Sequence, residues 1–314
     1  MTFVLAPLAG FTDAPFRRLC FLCGAARATT EMVSAAGLAH GSSPTRHLME
    51  TMDGEGPVVC QLFGAKETDL AVAAREVEAV RSRFVELNLN AGCPMAKVTR
   101  EGAGARLVER PEAIARLVRA MKENTSLPVT VKTRLGPRPG DARVFEILDA
   151  AEQAGASGLV VHARYTSQLH GGPVHLDVLE EVVRRARVPV TGNGSVVDRA
   201  TADAMAATGV SAIMVGRAAL ANPGIFAALR DGTPIARPGA DVARLHLAFL
   251  ISFRDQLARR FPNDHIPSAD AFASVKMHVH LFRYFAGRPG AAALRARLNA
   301  VRTLAEVRDA LAAL

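Results

Sequence analysis

Eight short β-rich runs, separated by amphipathic stretches, constrain the fold of this chain more than any other feature. The runs cover residues 3–6, 28–31, 58–63, 84–89, 129–133, 158–162, 188–192 and 212–216, each followed by polar or glycine-containing turn residues. The stretches 66–81, 111–124, 142–154, 176–185 and 198–207 place apolar residues three and four apart, the period of a helix with one buried face. A helix between two strands carries the chain back along the sheet, so the strands run parallel. Eight parallel strands close into a (β/α)8 barrel of the TIM type. A doubly wound open sheet would use the same alternation, but no GxGxxG follows the first strand, so a dinucleotide crevice has no support.

After residue 232 the pattern changes. Asp231-Gly-Thr-Pro-Ile-Ala-Arg-Pro-Gly239 is turn-rich, and beyond it helical patterns at 241–260, 270–285, 291–299 and 304–313 occur without strand signals. The expected organisation is a barrel over residues 1–235 and a small antiparallel helical bundle over 240–314. The 314-residue length fits one barrel plus such an appendage.

No apolar run approaches the roughly 20 residues of a membrane span, and the N-terminus lacks a basic leader region. Four cysteines, at 20, 23, 60 and 93, are too few and scattered for a disulfide framework. A cytoplasmic, soluble protein is expected. Cys20-Phe-Leu-Cys23 has CxxC spacing, yet a zinc site needs a second pair; buried helix cysteines and no metal are expected. The net charge of +8 and pI near 9.9 point toward an anionic partner. Only five of the 38 basic residues are lysine, and arginine grips phosphate bidentately and stacks on bases. An arginine- and alanine-rich composition alone would also produce that balance, so charge by itself leaves nucleic acid open.

The strand ends show what the barrel mouth presents. Glu86-Leu-Asn-Leu-Asn-Ala-Gly-Cys-Pro-Met-Ala-Lys97 ends a strand in two asparagines and puts the Cys93 thiol on a loop between Gly92 and Pro94. The other strands end in Ala6-Pro-Leu-Ala-Gly10, Gln61, Lys132-Thr-Arg134, His162-Ala-Arg164, Asn193-Gly194 and Gly216-Arg217. Amides for ring edges, a lysine for negative charge and glycine-flanked backbone N–H groups for phosphate suit a planar phosphorylated ligand, and flavin mononucleotide has this shape and charge.

Leu5-Ala-Pro-Leu-Ala-Gly-Phe-Thr-Asp-Ala-Pro-Phe-Arg-Arg18 resembles the opening signature of the tRNA-dihydrouridine synthases. Thr30-Glu-Met-Val-Ser34, Gln61-Leu-Phe-Gly64, Asn88-Leu-Asn-Ala-Gly-Cys-Pro94, Val131-Lys-Thr-Arg134, Val161-His-Ala-Arg164, Asn193-Gly194 and Val215-Gly-Arg-Ala218 are similar to further motifs of that family, in its order. In the tail, Lys276-Met-His278, Arg283-Tyr284 and Gly287-Arg-Pro-Gly290 resemble its bacterial B-type members. The resemblance implies a barrel that binds FMN, NADPH as reductant, and reduction of selected tRNA uridines at C5–C6. It implies hydride from reduced FMN to C6 and a proton from Cys93 to C5, a demand that a thiol of ordinary acidity, pKa about 8.5, meets near neutral pH. Pro7, Ala9, Gln61, Asn88, Lys132, His162, Arg164, Asn193, Gly194, Gly216 and Arg217 are then the expected flavin-site residues.

A uridine reaching the barrel mouth must leave its stack, and phosphate contacts must compensate. Lys97, Arg100, Arg254, Arg259, Arg260, Lys276, Arg283 and Arg288 are the expected RNA contacts, and a monomer is expected. Two features depart from the family pattern: Ser195 follows Asn193-Gly194 where an aspartate is common, and the 165–175 segment lacks the usual arginine, tyrosine and tryptophan. A flavin barrel acting on a free pyrimidine-like metabolite, and a catalytically altered RNA-binding homologue, remain the competing readings.

Overall fold

The computed structural model describes residues 1–236, 238–286, 296 and 301–312. Its strands are β1 (Thr2–Leu5), β2 (Arg27–Ser34), β3 (Val58–Phe63), β4 (Glu86–Ala91), β5 (Val129–Arg134), β6 (Leu159–His162), β7 (Val190–Asn193) and β8 (Ala212–Val215). Each pairs in parallel with the next, and β1 pairs with β8 from Thr2 opposite Ala212 to Leu5 opposite Val215, so the sheet closes on itself. The barrel expected from the alternation is therefore present.

Between and after the strands lie α1 (Ala14–Leu22), α2 (Ala35–Ala39), α3 (Ser43–His47), α4 (Glu67–Glu78), α5 (Ala96–Thr99), α6 (Pro111–Lys122), α7 (Val144–Gln153), α8 (Leu176–Arg185), α9 (Arg199–Ala207), α10 (Arg217–Ala221) and α11 (Ile225–Asp231). Several expected bounds move, β4 from 84–89 to Glu86–Ala91 and β7 from 188–192 to Val190–Asn193 among them, and two further shifts have a clear physical reason. β2 runs on to Ser34 because a register shift between Thr29 and Met32 lets Met32, Val33 and Ser34 pair with β3, a bulge that a strict two-residue period does not show. The helix expected over 66–81 ends at Glu78, and a 3₁₀ turn at Arg81–Arg83 makes the corner into β4.

The lumen is divided. Val4, Ala6, Val160 and Met214 form an apolar cluster on one side. On the other, β3, β4 and β5 bury Gln61, Glu86, Asn88, Asn90 and Thr130. Alternation along β4 separates the two faces: Leu87, Leu89 and Ala91 belong to the main core, with Glu86, Asn88 and Asn90 opposite.

The tail contributes α12 (Ala240–Arg260), α13 (Ala269–Tyr284) and α14 (Leu304–Ala312), which pack on one another and, through α12 and α13, on α1 and α10 of the barrel. Leu247, Leu250, Phe253, Met277, Leu281 and Tyr284 join the main core. The helix expected over 291–299, apart from residue 296, together with the Gly287–Gly290 turn and Arg288, lies outside the described residues. Of the CxxC pair, Cys20 is buried within α1 as expected; Cys23 is only half-buried, because it caps the helix end and not its inner face. No described helix is long and apolar enough to cross a membrane.

Candidate active site

A cavity of about 660 Å³ opens where the strands end. A hydrogen-bonded chain of side chains rises to it through the polar half of the lumen. Thr130 Oγ1 donates to Glu86 and accepts from Asn88 Nδ2 at 2.7 Å. Asn88 Oδ1 accepts from Gln61 Nε2 at 2.7 Å, and Gln61 Oε1 accepts from Asn90 Nδ2 at 2.9 Å. Asn90 Oδ1 then accepts the backbone N–H groups of Gly92 at 3.2 Å and Cys93 at 3.0 Å. The direction is fixed at the upper end, where backbone N–H groups can only donate. Every amide in between must therefore point as it does. The result is a rigid seat for the loop that bears Cys93.

Arg134 holds the same loop from the side, donating from Nε to the Gly92 carbonyl at 2.8 Å and from its terminal nitrogen to the Tyr165 carbonyl at 3.3 Å. Close packing under this loop also requires Gly104: a Cβ there would lie 2.6 Å from the Cys93 carbonyl oxygen, and its φ of +59° favours glycine.

Five basic side chains, Lys132, Arg134, Arg164, Arg217 and Arg283, line the cavity, and among the described residues no carboxylate does. Among the described residues none of the five is paired with a carboxylate. Their partners are neutral. Lys132 Nζ donates to Asn193 Oδ1 at 3.1 Å, and Arg217 donates to the His170 carbonyl at 3.0 Å. Arg164 donates to the Gly172 carbonyl at 2.8 and 3.1 Å and to Ser195 Oγ at 2.5 Å. Burial and mutual repulsion shift the acidities of these groups. Burial, reinforced by Arg134 and opposed by Cys93, brings Lys132 down to about 7. Burial, opposed by Cys93 and reinforced by Arg164, lowers Arg134 to about 10. Burial and then the charges of Lys132, Arg134 and Arg164 hold His162 far below the ordinary imidazole range, so its ring is neutral. Its Nε2 lies 3.3 Å from an Arg164 nitrogen, which can only donate, so the ring proton sits on Nδ1.

Of the residues expected at the flavin site, Pro7, Ala9, Lys132, His162, Arg164, Asn193, Gly194, Gly216 and Arg217 line this cavity, together with Cys93. Gln61 and Asn88 do not. They lie one layer deeper, fully buried, with their amides engaged in the chain below Asn90. The expected RNA contacts divide more sharply. Lys97, Arg100 and Arg259 are exposed, and Arg283 reaches the cavity, its guanidinium 4.4 Å above the Phe11 ring. Arg254 is tied to the Pro267 carbonyl and Asp255, Arg260 to Glu50, and Lys276 to Asp13.

Sequence reasoning did not single out Asn90, Arg134 or His170 as site residues. The first two carry a signal: Asn88 and Asn90, like Lys132 and Arg134, are two apart on one strand and so share a face. His170, which also lines the cavity, lies in a loop where no such period operates.

The sequence profile described as "Dihydrouridine synthase (Dus)" matches residues 4–314. The chain is 35% identical over 224 residues to a tRNA-dihydrouridine synthase B of Serratia marcescens, covering 71% of this chain and 66% of that one. It is 34% identical over the same length to the proteins of that name from Klebsiella pneumoniae and Escherichia coli K12, covering 69% of each. Among solved structures, morphinone reductase in complex with tetrahydroNAD shares the fold at a TM-score of 0.52 and 14% identity, over 76% of this chain and 89% of that one. With the profile match running from β1 to the end of the tail, this chain belongs to the dihydrouridine synthase family.

Proposed function

We propose that the chain is an FMN-dependent synthase that uses NADPH to reduce the C5–C6 double bond of uridines in tRNA, with the barrel as catalytic unit and residues 240–314 as the RNA-binding part. One observation carries this reading beyond family membership: among the described residues, a cavity of about 660 Å³ has five basic side chains without carboxylate partners, no lining carboxylate and a loop thiol around it. That donor set fits FMN. Arg164 and Arg217, with the backbone around Gly194 and Gly216, would hold the phosphate, while Pro7, Ala9, Asn193 and Lys132 would border the ring. When bound, the flavin supplies the reducing equivalents.

The chain's own residues do the rest. Cys93 Sγ holds the proton destined for C5, on a loop that Asn90 and Arg134 keep in one position. A general acid so placed is worth roughly 10²–10⁴-fold in rate. The thiolate left after transfer is stabilised by Lys132 and Arg134, both electrostatically coupled to it. Neutral His162 offers its Nδ1 proton as a hydrogen bond without adding charge. Leu8, Met32, Val196, Met214 and Leu220 line the cavity between these polar groups and displace water from it.

The test is the visible spectrum of the purified protein, then anaerobic reduction by NADPH and reoxidation by unmodified tRNA. A flavin spectrum with tRNA-driven reoxidation is the expected result. A flavin indifferent to tRNA would move the acceptor to a small pyrimidine-like metabolite, and a colourless protein that resists FMN reconstitution would overturn the flavoenzyme reading.

A further inference from the structure

The structure assigns Lys276 of the tail as a positioning residue for the cavity-lining loop between β1 and α1, not as an RNA contact; as far as flavin affinity is concerned, this rests on the function proposed above. Lys276 Nζ lies 3.2 Å from Asp13 Oδ2, at the N-terminus of α1. Asp13 Oδ1 accepts the Phe16 backbone N–H at 3.2 Å and so caps that helix. Glu31, on β2, also interacts with Lys276 and accepts the backbone N–H of Gly10. Gly10 has φ +81° and stands between Ala9 and Phe11, both of which line the cavity. One ammonium from the tail thus faces two carboxylates whose other task is to hold this loop and the start of α1.

The other charged groups around this cluster oppose burial of Glu31 less than Lys276 does. Arg17, on α1, also favours the charged form of Glu31, but its guanidinium is bound to Glu55 and to the carbonyls of Thr12 and Glu50. His246, on α12, and His280, on α13, are buried and held neutral by desolvation. Burial acts to lower Lys276, yet Asp13 and Glu31 outweigh it and keep the ammonium protonated. Burial raises Glu31, and Lys276 is the largest influence opposing that rise. Without it, Glu31 would keep the repulsion of Asp13 and lose the largest influence opposing its burial, so it would be stable only while protonated. As pH rises and that proton leaves, their repulsion would release the Gly10 contact.

The test compares Lys276→Met with the wild type in FMN titrations and in hydrogen exchange at the Gly10 amide between pH 5.5 and 8.5. In the variant, FMN affinity should fall about tenfold more than in the wild type across that range, with exchange at Gly10 accelerating in parallel, since a further raised Glu31 pKa makes its ionised form the unstable one. Lys276→Arg should restore wild-type behaviour. Glu31→Gln combined with Lys276→Met should remove the added pH dependence, because one neutral amide replaces the second charge. Equal pH profiles for Lys276→Met and wild type at Gly10 would overturn the assignment. If the wild type binds no FMN, the functional reading fails while the exchange result still decides the role of Lys276.

Discussion

The barrel mouth and the seam between barrel and tail are both rich in basic residues, and they treat them oppositely. At the seam Lys276 meets Asp13, Arg260 meets Glu50 at 3.1 Å, and His47 meets Asp264 at 2.7 Å. At the mouth, among the described residues, five cations share a cavity with no carboxylate. Burying charge without a counterion is unfavourable, so an unpaired cluster of this kind persists where a ligand supplies the missing anions. A basic residue's environment, more than its presence, therefore separates binding chemistry from architecture. The pairing of Lys276 shows how far a sequence-based list of basic residues can mix the two.

The strongest way to break this comparison is through Cys93, which belongs to no ion pair but shares the mouth with Lys132 and Arg134. Cys93→Ala should lower tRNA-dependent uridine reduction by about 10²-fold or more, the scale of a lost general acid. The flavin spectrum and its reduction by NADPH should be unchanged. Uridine reduction at the native rate by that variant would show that the proton comes from elsewhere.

Acidity at the mouth offers the next test. Lys132 titrates near 7, far below an ordinary lysine, because burial and Arg134 disfavour its charge. An anionic ligand restores a counterion and returns the pKa toward its ordinary value, so binding takes up a proton between about pH 7 and 10. FMN affinity should then fall as pH rises above 7, by up to about tenfold per pH unit. Riboflavin, without phosphate, should show the weaker trend. An FMN affinity that is flat from pH 7 to 9 would show that Lys132 carries no such coupling.

The fold was legible because its signal is periodic, whereas the site was legible only in part because its logic crosses strands. Eight apolar runs and the helices between them follow from local pattern, which placed each strand to within three residues but did not show the bulge in β2 or the corner after α4. Residues such as Lys132, His162 and Asn193 sit at strand ends, and strand ends meet at one rim of a barrel whatever the details. Gln61 and Asn88 sit at similar sequence positions but lie a layer lower, because depth in the lumen depends on the stagger between strands, which no single strand reports. The fate of each basic side chain was equally hidden: Arg260 finds Glu50, more than two hundred positions earlier in the chain, only after the tail has docked.

Paired substitutions contrast the two regions directly. Arg217→Ala at the mouth should weaken FMN binding by about tenfold, the value of one charge-assisted phosphate contact, with little change in melting temperature. Glu50→Ala at the seam should do the reverse. It strips the partner from Arg83 at 2.8 Å and Arg260 at 3.1 Å, and should cost about 2 kcal/mol of stability while leaving FMN affinity intact. Calorimetry and flavin titration on the same two variants check both halves. Equal effects on both readouts would erase the distinction between ligand cations and structural ones.

The smallest expected effect concerns a basic residue that belongs to neither class. Lys97 is exposed on α5, a short helix immediately beyond the Cys93 loop, with no carboxylate partner among the described residues. If the tRNA backbone passes over that loop to deliver its uridine, Lys97 contributes one phosphate contact and nothing to flavin binding. Lys97→Ala should then weaken tRNA binding only about two- to threefold, while the slope of log K against log salt becomes shallower by about one contact's worth. The salt slope is the more telling readout, since a twofold change in affinity has many causes but loss of one counterion-releasing contact has a fixed signature. An unchanged slope would place the RNA path away from the cysteine loop and leave Arg100 and Arg259, the other exposed candidates, to be tested in the same way.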